Sequence, residues 1–287
     1  MQINIKKRVN QNYADFDYFS KIHKSVIETD DDNIVFNFEN CKFMHAGYTA
    51  WFGGTIMICD SLGKNVNVQT KENSEIDRYL KKSGLHEYIN KLSESYVNKN
   101  AIRFKHIENM NGDDLEIMDY IDHILDLAPI ELTDKARQTL FTNIYEIFNN
   151  ACDHSESKLG LFSCGHWMPK KDELVVSIYD AGQGIPKVIR NKIKNIDDNV
   201  EALKWALGPG NSTKQLDDGT PRGIGLSRLL RLIMLNRGAL SIISDDVIFM
   251  YGNKSNKCCI NRFPIKGTLV TINIVADRES LYCLKEE

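Results

Sequence analysis

No excess of positive charge marks this 287-residue chain: its formal net charge is −3, so composition gives no footing for nucleic acid. No apolar run reaches the roughly 18–20 residues that a membrane-crossing helix needs. The richest run, around residues 51–59, is about half that length and reads as a core helix. The opening MQINIKKRVNQNYADFDYF lacks the apolar centre of a secretory signal, which leads us to expect a cytoplasmic protein. There are seven cysteines, an odd number, and no CxxC pair. Cys258 and Cys259 are adjacent but have no histidine or further cysteine at ligand spacing, so buried, reduced thiols are expected. Internal repeats and low-complexity segments are also missing.

What is present is the apolar content and charge of an ordinary globular protein, in a chain long enough for one large domain or two smaller ones. Residues 1–97 read as strands alternating with helices, the pattern of a mainly parallel sheet. Residues 3–9 alternate as a strand. Residues 15–28 place Phe16, Phe19, Ile22 and Val26 at helical spacing. A β-branched and aromatic run at 33–38 precedes a long buried helix at 45–62, which Gly63 ends. A strand at 65–69 and a helix at 74–83 follow. The polar, Asn-rich stretch 98–112 is read as a linker, leaving 113–287 as a second domain. That part opens with a helix at 113–127 and a second at 133–154, with Thr133 as its N-cap. A strand pair, a long irregular stretch, a helix at 224–236 and several strands to 275 complete it. Helices followed by hairpin-like strands suggest an α+β sandwich.

Five features of the second domain carry chemistry. On the helix 133–154, Glu146 and Asn150 are one turn apart and share a face, extended by Asp153 and His154. An Asn amide oxygen suits a hard cation and a Glu can take a proton from water; a plain solvated face has the same look. The run DAGQGIP over 180–186 sets Asp180 at a strand end, followed by Gly182 and Gly184. A carboxylate there can accept from an exocyclic amine, and the glycines admit a flat ring, although DxGxG is also a common turn. Gly223 and Gly225 open an apolar helix, where exposed amides suit phosphate. The run lacks the third glycine of a dinucleotide fingerprint and the GK[ST] ending of a P-loop. Between these lies the glycine-rich stretch 206–219, a loop or lid. Last, KGT over 266–268 leads into a strand, with Thr268 placed to bond a ligand or cap a turn.

In this order, ExxxN, DxGxG, a lid, GxG and GT resemble the GHKL ATPase family over about residues 113–276. That family includes histidine-kinase catalytic domains, type II topoisomerase and mismatch-repair ATPases, heat-shock chaperones and anti-sigma-factor serine kinases. The resemblance implies the Bergerat fold, an α+β two-layer sandwich, with ATP and Mg²⁺ bound. It implies Glu146 as the acid/base residue and Asn150 as the magnesium ligand, supported by Asp153. It further implies Asp180 and Thr268 at the adenine amine, and Gly182, Gly184 and Ile185 around the adenine. Ser212, Thr213 and Lys214 of the lid, with Gly223, Ile224, Gly225 and Leu226, would wrap the phosphates.

The first 97 residues resemble the α/β STAS fold of anti-sigma-factor antagonists, through IVFNF at 34–38, CKFMHAG at 41–47 and the long apolar helix that follows. Such antagonists are phosphorylated on a Ser or Thr just before the helix-opening glycine. Here that position holds Ala46, with Thr49 out of register, so a docking role against the lid or a partner is expected instead. The resemblance implies an ATP hydrolase or ATP-gated switch with a protein partner, and leaves a homodimer open. Few residues follow the last strand, so a transducer segment reaching the γ-phosphate is not expected, which weighs against strong hydrolysis. Two alternatives stand beside this reading: a serine/threonine kinase acting on a separate STAS protein, and a non-enzymatic module stabilised by nucleotide.

Overall fold

Apolar spacing, caps and glycines set the elements of the N-terminal half. The computed structural model describes residues 1–91, 101–108, 114–127, 133–154, 157–211, 214–215, 221–222, 225–252 and 256–275. The stretch 3–9, expected as one strand, divides into β1 (Gln2–Asn4) and β2 (Arg8–Val9). The chain leaves the ladder between them, where the Lys6 ammonium turns to the Asp15 carboxylate. Helix α1 (Tyr13–Glu28) starts where the Asn12 side chain accepts the Asp15 amide, at 3.0 Å. Strands β3 (Asn33–Asn37) and β4 (Phe43–Met44), helix α2 (Thr49–Ser61) and strand β5 (Asn65–Gln69) follow. Helices α3 (Glu75–Lys82) and α4 (Leu85–Ile89) close this half. Strands β1, β3 and β5 form a parallel sheet in that order, and β2 pairs with β4.

Strand β6 (Ala101–Ile107) comes next, then helices α5 (Asp114–Leu127) and α6 (Asp134–His154). After β7 (Leu161–Met168) and β8 (Glu173–Asp180) come helices α7 (Ile185–Lys192) and α8 (Asn199–Leu207). The short pair β9 (Lys214–Gln215) and β10 (Pro221–Arg222) leads to helix α9 (Gly225–Asn236). Strands β11 (Ala239–Ser244), β12 (Val247–Tyr251), β13 (Lys257–Ile260) and β14 (Thr268–Val275) complete the described chain. Seven strands make one antiparallel sheet in the order β13-β12-β11-β14-β8-β7-β6. The whole is an α+β arrangement. No helix among the described residues is long and apolar enough to cross a membrane.

Both faces of this sheet are buried, and strand alternation divides its side chains between two cores. Leu174, Val176 and Ile178 of β8, with Val270 and Ile272 of β14, pack against α5, α6, α8 and α9. Phe162, Tyr179, Ile243 and Leu269 pack the other way, in one core with α1, α2 and the small parallel sheet. Helix α2 is therefore buried all round from Thr49 to Ile56. Its Phe52 ring meets Phe36 and Phe38 of the small sheet edge-on, while Gly53 and Gly54 face the large one.

Two findings depart from the sequence reading. Residues 101–107, placed in a linker, are an edge strand of the large sheet. A register shift between Ile102 and Lys105 sends Ile102 to the helix-side core and Phe104 to the opposite one, which hides the period of two. The stretch after β8, read as irregular, holds α7 and α8. Pro186 sits in the first turn of α7, and Asp198 caps α8 by accepting the Glu201 amide at 2.8 Å.

The two glycines of α2 should each cost about 1 kcal/mol in a helix interior. Close packing explains them: a Cβ on Gly54 would lie 2.4 Å from the Tyr179 ring, and one on Gly53 2.3 Å from Phe104. Overpacking a rigid core costs about 1–3 kcal/mol, more than the helix gain. Gly54→Ala should lower the urea-unfolding midpoint; a raised midpoint would show that the Tyr179 ring yields freely.

Candidate functional site

Three polar side chains lie side by side at one end of the large sheet. Asp180 ends β8, Thr268 begins β14 and Ser244 ends β11, and the ladders pair Thr268 with Asp180 and Ser244 with Thr268. Alternation puts them on the same face as Ile178, Val270 and Ile242, toward the helix layer. All three are buried. The Ser244 and Thr268 hydroxyls are 2.8 Å apart, and Ser244 Oγ accepts the Ile185 amide at 2.8 Å. Asp180 Oδ1 accepts the Gly182 amide at 2.9 Å. The loop 181–185 is thus held to the sheet from two strands. Gly184 has φ +82° and leads into α7. Gly267 has φ +90°, and a Cβ there would fall 1.8 Å from the Asp180 carbonyl oxygen, so only glycine fits.

Burial dominates the electrostatics of Asp180. It pushes the carboxyl up from 3.8 to about 7, against the opposing pull of the Gly182 amide. Near neutral pH the group is poised between an acid that donates and a carboxylate that accepts. A ligand amine directed at it would favour the carboxylate.

Helix α6 packs on the same sheet face. Thr133 caps it, its Oγ1 accepting the Ala136 amide at 3.2 Å. Leu140, Ile144, Ile147, Phe148 and Ala151 bury its apolar stripe, as expected from their spacing. Glu146 and Asn150 are half-buried. Asn143, one turn before Glu146, is buried; its amide nitrogen donates to the Thr139 carbonyl at 2.8 Å. Its Oδ1 is buried without a hydrogen-bond partner among the described residues. Residues 155–160 join the C-terminal turn of α6 to Leu161, which pairs with Asp180. Chain connection therefore brings the Asn150 end of the helix toward the Asp180 end of the sheet.

An oxygen from Asn150 suits Mg²⁺, which keeps several waters and phosphate oxygens and needs few protein ligands. The unneutralised Asp180 carboxyl, with two hydroxyls in line, suits a hydrogen-bond donor on a flat base. Leu226 of α9 is half-buried against the helix-side core. Gly225 begins that helix, and Lys214 lies on β9, which pairs with β10. Ser212, Thr213, Gly223 and Ile224 lie outside the described residues, as do the side chains of Asp153, His154 and Lys214.

No protein-family model matches the chain, and no curated protein matches it significantly.

Behind the site, both halves hold the backbone of Lys266. His23 Nε2 accepts the Lys266 amide at 3.2 Å, and the Tyr179 hydroxyl donates to the Lys266 carbonyl at 2.5 Å. His23 is fully buried, and desolvation first, then the Lys266 ammonium, lowers its pKa to about 3. A neutral ring has one acceptor nitrogen, yet Trp51 Nε1–H also points at Nδ1, from 3.1 Å. The shorter 2.8 Å contact of Nδ1 with Thr55 Oγ1 favours a proton on Nδ1, leaving Nε2 to Lys266. Thr55 in turn donates to the Trp51 carbonyl at 2.7 Å. Ser244, His23 and Tyr179 form no motif in the sequence. Only His23, one helical turn from Phe19 on the apolar stripe of α1, carried a signal there.

A carboxyl whose folded-state pKa is raised opposes folding once ionised. The penalty is slight near pH 3.8, grows as pH rises to about 7, and is full above that. Asp180→Asn keeps an acceptor for Gly182 and removes the charge. Its melting temperature should match the parent at pH 4 and exceed it at pH 8. Three pKa units set an upper bound of roughly 4 kcal/mol. An Asn variant no more stable at pH 8 would place a compensating charge beside Asp180.

Proposed function

We propose that this chain is a cytoplasmic regulatory protein that binds Mg-ATP at the Asp180 end of the large sheet and acts as an ATP hydrolase or ATP-gated switch. The observation that carries this reading is the row Asp180, Thr268 and Ser244, with Gly182, Gly184 and Gly267 folded against it. It gives a buried, uncompensated acceptor at a strand end, beneath a helix that bears Glu146 and Asn150. The antiparallel sheet with α5, α6, α8 and α9 layered on one face, and the order of the motifs, agree with a GHKL domain of Bergerat fold. The parallel β1-β3-β5 sheet and the helix opening near Gly47 agree with a STAS-like N-terminal half.

In this reading Asp180 accepts from the adenine amine, with Thr268 sharing the contact, and Ile185 walls the base. Asn150 would hold a magnesium ion, which would supply positive charge against the phosphates. Glu146 takes a proton from the attacking water. Ser212, Thr213, Lys214, Gly223, Ile224, Gly225 and Leu226 would contact the phosphates. A protein partner reads the nucleotide-bound state, since a ligand shifts a conformational equilibrium only through differential affinity.

Calorimetry and phosphate release together test the proposal. Mg-ATP should bind the parent chain, and binding should fall at least tenfold in Asp180→Asn, although that variant is the more stable at pH 8. Asn150→Ala should lose the magnesium dependence. Glu146→Ala should keep binding and lose phosphate release by about 10²–10⁴-fold. Equal release from Glu146→Ala and the parent would remove Glu146 from the mechanism. Transfer of labelled phosphate to a second protein would replace hydrolysis by the kinase reading. Binding without turnover, with equal stabilisation by ADP and ATP, would leave the nucleotide-stabilised module.

A further inference from the structure

A cleft of about 540 Å³ opens on the seam between the two halves, far from Asp180. Its walls are Phe43 and Met44 of β4, Ile76 of α3 and Met168 at the end of β7. Its volume lies within the ~300–1,000 Å³ of small-molecule sites. In the β7–β8 ladder Met168 pairs with Glu173 and Leu161 with Asp180, so the two sites lie seven residues apart, roughly 23 Å. They also differ in face. His166 and Met168 follow Phe162 and Cys164 toward the N-terminal half, whereas Asp180 faces the helix layer. One ligand cannot occupy both.

The charge around this cleft is one-sided. Lys42, Lys170 and Lys171 stand exposed at its edge against a single acid, Glu75. None of the three lysines forms an ion pair among the described residues. Inside, the Tyr79 hydroxyl is already bonded to Thr49 Oγ1 at 2.6 Å, so this ring serves as apolar wall. It meets the His166 ring edge-on, with centroids 6.2 Å apart. His166 Nδ1 is buried and has no hydrogen-bond partner among the described residues.

We infer that this cleft is a second ligand site, taking a small organic anion with an apolar body and a single carboxylate or sulfonate head. The body fills the space among Phe43, Met44, Ile76 and Met168. The head lies at the lysine edge. Because β4 and α3 belong to one half and β7 to the other, such a ligand joins the halves and stabilises the folded chain as a whole.

The test uses the full chain without nucleotide and the probe 1-anilinonaphthalene-8-sulfonate. Its fluorescence should rise to saturation at one site per chain. Decanoate should displace it at least tenfold better than decanol does. Met168→Trp, which fills the cleft, should abolish saturable binding. Lys42→Ala with Lys171→Ala, both at exposed positions, should weaken it about fivefold while leaving the circular dichroism unchanged. The proposal fails if the parent chain shows no saturable binding, or if folded Met168→Trp binds as the parent does. It fails equally if the double lysine variant binds unchanged, or if decanol competes as well as decanoate.

Discussion

Strand β8 is buried along both faces, and its two antiparallel ladders limit where every other layer can sit. The β14 ladder runs in unbroken register from Thr268 and Asp180 to Val275 and Glu173, and the β7 ladder from Leu161 and Asp180 to Met168 and Glu173. Slipping either by one residue would turn Tyr179 into the helix core and Ile178 toward α2. The close fit of Gly54 on Tyr179 forbids that slip from one side, and the packing of Ile144, Phe148 and Leu229 opposes it from the other. The position of Asp180 beside Thr268 thus follows from core packing more than from any bond between the two side chains.

That constraint has an electrostatic cost. A carboxyl fixed at the end of a fully buried strand keeps one amide bond and loses its water. The fold tolerates it because the loop around it is held from several sides. Ser244 binds the Ile185 amide, Gly267 fits only as glycine, and His23 and Tyr179 take both polar groups of the Lys266 peptide. A raised pKa in such a rigid surround is the pattern expected where binding a ligand restores what burial removed.

Much of the fold could be read from spacing alone. Helices α1, α2, α5 and α6, and the strands after α9, stand where apolar periodicity and Thr133 put them. Helices α7 and α8 were overlooked because each is under ten residues and their caps, Pro186 and the pair Asp198 and Glu201, mark starts that no long stripe follows. Strand β6 was lost to its bulge, which places Ile102 and Phe104 in different cores. In the site, Asp180 and Thr268 announce themselves by their glycines. Ser244 has no such neighbour: it reaches the site through strand register, a long-range property. His23 likewise gains its role from Lys266, 243 residues away.

The two halves are therefore one folding unit in a physical sense. Removing residues 1–91 would bare Phe162, Tyr179, Ile243 and Leu269, a continuous apolar sheet face that water would penalise. It would also strip the Lys266 amide of its acceptor. The seam carries polar fasteners as well: Asn261 donates to Ser20 at 2.8 Å, Tyr13 to the Ile260 carbonyl at 2.9 Å, and Arg262 pairs with Asp17. A tethered docking module would need no such shared interior. Any change of state at the Asp180 end has to be felt by α1 and α2 through packed side chains and the His23 link, because closely packed interiors transmit strain and do not absorb it.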